Sequence, residues 1–119
     1  MTDGLTGLFN RIGFNEQVEK YLNNNESKKC IAMLLDVDNF KFINDVHGHE
    51  VGDQVLIQLA TDMKKEFPEN AVIGRNGGDE FCVLIKDCNE EEAKNLIEGF
   101  TMKNVRSSIK GKNISIASL

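Results

Sequence analysis

Two acidic groups carry the chemistry legible in this chain: Asp36 with Asp38, and Asp79 with Glu80. The first leaves the end of a continuous apolar run, Cys30-Ile31-Ala32-Met33-Leu34-Leu35-Asp36-Val37. The second sits at the tip of a glycine turn, Asn76-Gly77-Gly78-Asp79. If the segments flanking that turn pair beside the apolar run, the carboxylates meet at one edge. Hard divalent cations such as Mg²⁺ take carboxylate and backbone oxygens and complete their shell with water and substrate phosphates. Two such ions could activate a hydroxyl and stabilise the leaving oxygen of a phosphoryl transfer. Acids also gather at strand ends because strand ends meet water, and any one of these residues is accounted for that way. Together with the glycine turn, they favour a site.

Asn39-Phe40-Lys41 opens a short helical segment directly after the first acidic pair. Unpaired N–H groups at a helix start attract anions, and Lys41 adds a mobile charge. A surface lysine beside a core phenylalanine is the plainer account. Asn44 and Asp53 have the donors and acceptors to read a guanine edge, an amide on the ring and a carboxylate accepting from an N–H pair. Asp53 lies three residues before Leu56 and is expected to top the inward face of its helix. Alternatively it is a first-turn acid opposing the helix dipole. His47 and His49 flank Gly48, but no cysteine or third histidine stands at ligand spacing, so a zinc site is not expected. A turn-stabilising or substrate-edge role suits His49 better. Gly77 and Gly78 can serve turn dihedrals alone, or also let a triphosphate pass close to backbone.

The elements that position these residues follow from periodicity. Residues 11–22 place Phe14, Val18, Tyr21 and Leu22 at helical spacing, with Asn10 as N-cap and the asparagines 23–25 as terminator. The run at 30–37 reads as a strand buried on both faces, the kind found at a sheet centre. After the short segment with Phe40, Ile43 and Asn44, residues 51–67 form a helix with one apolar stripe, stopped by Pro68. Residues 71–75 and 80–86 read as a hairpin, since Asn-Gly between apolar runs is a strong hairpin signal. A helix over about 90–108 has Asn89 as cap and an acidic first turn, and a last strand covers 113–119. The order α-β-α-α-β-β-α-β implies an α/β (α+β) sandwich, a mostly antiparallel sheet flanked by helices.

With 119 residues the chain fits a single domain, 1–119. No apolar run reaches the ~18–20 residues needed to span a bilayer, and no signal peptide is visible, so a cytoplasmic location is expected. That location includes the cytoplasmic part of a membrane-anchored protein. The three cysteines, Cys30, Cys82 and Cys88, lack metal-ligand spacing and read as reduced core thiols. A net charge of −5 argues against nucleic acid as partner. It does not argue against a nucleotide, for which bound ions supply the positive charge.

Arg75-Asn76-Gly77-Gly78-Asp79-Glu80-Phe81 contains the signature of bacterial GGDEF-domain diguanylate cyclases. Asp3-Gly4-Leu5-Thr6-Gly7-Leu8-Phe9-Asn10-Arg11 resembles that family's opening DxLTGLxNR, and Asp36-Val37-Asp38-Asn39-Phe40-Lys41 resembles its DxDxFK. Asn44-Asp45 and Gly48-His49-Glu50-Val51-Gly52-Asp53 follow in family order. The resemblance implies a palm-like fold related to nucleotidyl cyclases. It implies condensation of two GTP into cyclic di-GMP with release of pyrophosphate, using Mg²⁺ or Mn²⁺, two ions per site. By motif position, Asp36, the Val37 carbonyl and Asp79 hold metal, and Asn44 and Asp53 read guanine. Asn39, Phe40 and Lys41 hold phosphates, with Glu80 and Arg75 supporting the reacting centre. Each subunit binds one GTP in that family, so a second GGDEF domain, as in a homodimer, is an implied partner. An attached sensor or regulatory domain is expected too.

Three departures from the family pattern stand out. The product-inhibition motif Arg-x-x-Asp falls on Pro68 and Ala71, so feedback through it is not expected. Ala117 follows Ser115-Ile116 where the family has glycine, and the chain stops at Leu119, before the family's C-terminal helix. The domain is therefore expected to be C-terminally incomplete. A non-catalytic GTP-binding or regulatory module, or a truncated inactive domain, is the alternative to an active cyclase.

Overall fold

The computed structural model describes residues 1–24, 30–37, 40–103, 107–109 and 112–114. The elements are α1 (Arg11–Asn24), β1 (Cys30–Asp36), α2 (Phe40–His47), α3 (His49–Glu66), β2 (Val72–Gly77), β3 (Glu80–Lys86), α4 (Glu90–Lys103), β4 (Ser107–Ile109) and β5 (Lys112–Ile114). The expected α+β fold is present. One antiparallel sheet has the order β1-β3-β2, and β4 and β5 form a separate hairpin.

Local signals set the helix ends. The Asn10 side-chain oxygen accepts from the Gly13 N–H at 2.9 Å, capping α1. Asn89 and Glu92 exchange reciprocal bonds at the start of α4, Glu92 N–H to Asn89 Oδ1 at 2.8 Å and Asn89 N–H to Glu92 Oε1 at 3.2 Å. Phe67, expected inside α3, is instead its extended C-cap (φ −85°, ψ 156°), because the ring of Pro68 excludes helical backbone at the preceding residue.

Two expectations are corrected. Among the described residues the sheet centre is β3, whose Phe81, Cys82, Val83, Leu84 and Ile85 are all buried, and β1 lies at the side of the sheet, with Ala32 and Leu34 exposed. The reason is helix placement. α1 packs over β2, and its Phe14 and Tyr21 cover Val72, Cys82 and Leu84 without reaching Leu34. On the other face Leu35, Val37, Phe81, Val83 and Ile85 meet Val55, Leu56, Leu59 and Met63 of α3 and Ile97 and Phe100 of α4. Each such fully buried side chain contributes about 1.5–3 kcal/mol. The second correction is that the chain at 107–109 is strand β4 rather than the end of α4, paired with β5 in the register Ser107↔Ile114 and Ile109↔Lys112. Serine is a weak helix former, and a glycine between the two strands in sequence is a hairpin signal. Of the expected last strand, Asn113 and Ile114 fall in β5; 115–119 lie outside the described residues.

Candidate active site

The pairing of β1 with β3 brings the two acidic groups together. Asp36 stands directly opposite Glu80 in the ladder, one step beyond the Leu35↔Phe81 pair. Beyond the strand end, the Val37 N–H donates to the Asp79 carbonyl at 3.3 Å. Directly opposed side chains on antiparallel strands lie about 4.5–5.5 Å apart at Cβ, where like charges repel. Burial, then the charges of Asp79 and Glu80, push the Asp36 carboxyl above the ordinary aspartate range. Asp38 and Asn39 lie outside the described residues.

The hairpin tip is shaped by its glycines and held by an arginine. Gly77 and Gly78 both have positive φ, 135° and 53°, and a Cβ on either would meet nothing within 4 Å. Conformation, not space, demands glycine there. The Gly78 φ falls in the small left-handed region open to other residues, whereas that of Gly77 does not. Gly77→Ala is therefore expected to cost about 2 kcal/mol and Gly78→Ala about 1 kcal/mol, read as urea unfolding midpoints. Equal losses in the two variants would contradict the dihedral account.

Arg75 grips this turn from behind. Its Nε and Nη2 donate to the Gly78 carbonyl at 3.0 and 2.8 Å, and its Nη1 pairs with Asp3 Oδ1 at 2.9 Å. Asp3 is itself held by the Thr6 N–H at 2.9 Å and the Thr6 hydroxyl at 2.8 Å. Burial alone would raise the Asp3 pKa, but the Thr6 bonds and the Arg75 charge outweigh it and hold the carboxyl below its usual range. The N-terminal hook thus reaches the signature turn. It lies along β2, with the Arg75 N–H donating to the Phe9 carbonyl at 2.9 Å. Sequence reasoning assigned Asp3 and Thr6 no role; the Asp-x-x-Thr spacing of a side-chain-closed turn was the available signal.

The guanine-reading candidates gather at the start of α3. Asn44 is half-buried on α2, and its buried Oδ1 has no hydrogen-bond partner among the described residues. It lies against Gly52, where a Cβ would overlap that oxygen and come within 3.4 Å of the Phe40 ring. Asp53 follows Gly52, but its side chain is exposed. This corrects the expected inward position: Val51, Gly52, Val55 and Leu56 form the buried stripe, and Asp53 falls past its edge. α3 also begins at His49, so the first-turn acid is Glu50 and not Asp53. Lys41 and His49 are exposed near the starts of α2 and α3, and α3 has no side-chain cap.

Hard-oxygen donors stand at the β1–β3 end in Asp36, Asp79 and the main chain at Val37, and burial followed by the Asp79 and Glu80 charges raises the Asp36 pKa. Among the described residues no three His, Cys, Asp or Glu side chains form a group that could hold a metal ion. A mostly apolar cavity of about 310 Å³ lies elsewhere, between the N-terminal hook and the end of α3. Pro68 and Ala71 are in its wall, with Leu8, Phe9 and Lys64. The three cysteines are free, Cys82 and Cys88 buried. Among the described residues no helix is long and apolar enough to cross a membrane.

Comparison with known proteins shows what the chain is similar to. The chain is 42% identical to the diguanylate cyclase DgcZ of Escherichia coli over 91 residues, 76% of this chain and 31% of that protein. It is 40% identical to the cyclic di-GMP phosphodiesterase NbdA of Pseudomonas aeruginosa over 103 residues, 85% of this chain and 13% of that protein. The chain thus spans less than a third of the length of either relative. Its fold superposes with a TM-score of 0.88 on a sensory box/GGDEF family protein from Caulobacter crescentus, 27% identical, covering 98% of this chain and 78% of that one. Residues 1–116 match the family described as diguanylate cyclase, GGDEF domain, and the chain belongs to that family.

Proposed function

We propose that this domain is a diguanylate cyclase unit that condenses two GTP into cyclic di-GMP. The observation that carries the reading is the convergence of Asp36, Asp79 and Glu80 at one end of the β1–β3 ladder, beside an intact signature hairpin. Asp36, Asp79 and the Val37 carbonyl would hold Mg²⁺ or Mn²⁺, which supplies charge neutralisation for phosphoryl transfer. Asn44 and Asp53 read guanine, Asn44 through a buried oxygen that lacks a partner among the described residues. Phe40 and Lys41 at the start of α2 would hold phosphates, together with Asn39, which lies outside the described residues. Arg75 keeps the hairpin tip in place for Glu80.

The 3′-hydroxyl of one GTP attacks the α-phosphate of the other. A P–O bond forms, the bond to pyrophosphate breaks and the hydroxyl proton passes to solvent; the reciprocal attack then closes the ring and releases a second pyrophosphate. Two domains, each holding one GTP, must face each other, and proximity then supplies much of the rate. Pro68 and Ala71, in an apolar wall, lack the charges of the family's feedback motif. The test is cyclic di-GMP formation from GTP with Mg²⁺ at high protein concentration, with ATP as control. No product, or equal use of ATP, would sink the reading. Gly52→Ala, which displaces Asn44, is expected to raise the KM for GTP about tenfold with a smaller change in kcat. An unchanged KM in that variant would remove Asn44 from the guanine site.

A second reading, a GTP-binding module that regulates an attached domain, is favoured by the similarity to a protein named as a phosphodiesterase. Such a module binds GTP without releasing pyrophosphate.

A further inference from the structure

We propose that Asn76 and Cys82 are positioning residues that fix the Glu80 carboxylate from the core side of the signature hairpin; this rests on the cyclase reading for its effect on turnover.

In the β2–β3 register Gly74 faces Cys82, Arg75 faces Phe81 and Gly77 faces Glu80, leaving Asn76 in a bulge without a partner. A bulge re-aims its extra side chain. Glu80 and Cys82, two residues apart on β3, share one face of the sheet, and the Asn76 amide spans them. Its Nδ2 donates to Glu80 Oε1 at 2.8 Å, and its Oδ1 accepts from Cys82 Sγ at 3.4 Å. The amide's two ends have different partners: the NH₂ faces the Glu80 carboxyl and the carbonyl oxygen faces the thiol.

The thiol can only serve as donor while protonated, and burial pushes the Cys82 pKa up to about 11. Its place is set by packing. Cys82 is 3% exposed, and a Cβ on Gly74 would stand 3.0 Å from its sulfur. A chain of two hydrogen bonds therefore runs from the rigid sheet core to a carboxylate that directly faces Asp36. Without it, Glu80 is free to rotate away from the neighbouring charges, and the reacting centre loses its preorganised geometry.

The test compares Asn76→Leu, Cys82→Ala and Cys82→Ser with the parent chain, all first shown by circular dichroism to be folded. Asn76→Leu should lower kcat about tenfold or more, as loss of an outer-shell partner does, with the KM for GTP within about twofold. Cys82→Ala should lose about threefold, reflecting a weak S–H donor, and Cys82→Ser should recover most of that. Parental kcat in Asn76→Leu, or a KM that rises as kcat falls, would overturn the proposal. An independent arm follows the Asn76 side-chain NH₂ signals by NMR. They should shift in both Cys82→Ala and Glu80→Gln; signals unmoved in either variant would show that the link is absent. If the parent chain makes no cyclic di-GMP, the cyclase reading fails while the NMR arm still decides this one.

Discussion

Asp36→Asn is expected to abolish cyclic di-GMP formation, by about 10³-fold or more, while making the domain harder to unfold. The two effects have one cause. Asp36 faces Glu80 across the ladder, with the Asp79 carbonyl bonded to the next residue. Burial and two nearby negative charges raise its pKa, so its ionised form is disfavoured in the fold. Asparagine keeps the shape and removes the charge. Relief of such a cluster commonly yields about 1 kcal/mol, roughly 3–5 °C in Tm for a domain of this size. The lost rate corresponds to about 4 kcal/mol of transition-state stabilisation, a reasonable share for one ligand of the proposed metal site. Asp79→Ala should be equally inactive and also folded. Mg²⁺ with a non-hydrolysable GTP analogue should raise the Tm of the parent chain but not of Asp36→Asn. A destabilised Asp36→Asn, or retained turnover in either variant, would remove these residues from the site.

Asp3→Ala should be the more damaging change to the fold, though Asp3 is far in sequence from the acidic edge. Asp3 accepts from Thr6 twice and from Arg75 once, all at 2.8–2.9 Å. Hydrogen bonds to a charged group are each worth about 1.5–3 kcal/mol and do not add, so a loss of about 3 kcal/mol is expected. Turnover should fall too, roughly tenfold, because Arg75 loses one of its two anchors while gripping the Gly78 carbonyl. The pH dependence has a definite sign. The folded-state pKa of Asp3 lies below the ordinary 3.8, so its ionised form stabilises the fold at all pH above that value. The stability gap between the parent chain and Asp3→Asn should be constant from neutral pH down to about 4. It should then shrink as pH falls through the folded-state pKa. Chemical denaturation at several pH values measures it, and a gap that widens in acid would refute the assignment.

Much of this architecture was legible before any coordinates. Helical periodicity found α1, α3 and α4, and the caps at Asn10 and Asn89 formed as their types required. The alternation of apolar runs with a glycine turn found the β2–β3 hairpin, and Asp36 at the end of β1 does meet the acids at its tip. Boundaries failed where a neighbour intervened. Phe67 left the helix because of Pro68, and the residues from Ser107 became strand because a hairpin partner follows them. The continuous apolar run of β1 read as a central strand, yet among the described residues it lies at the side of the sheet. A period-free run cannot say which face a helix will cover.

What the sequence by itself determined was residue type and local geometry: which segments turn, coil or extend, and that carboxylates end one strand and begin another. These depend on contacts within about four residues, which composition and spacing encode directly. The tertiary structure alone decided the lateral partners. Arg75 holds Asp3 across 72 positions, and Asn76 bridges Glu80 and Cys82 only because a bulge lifts it out of register. Such links follow from how strands pair and how helices cover them, and a linear pattern cannot express a pairing between segments it treats separately.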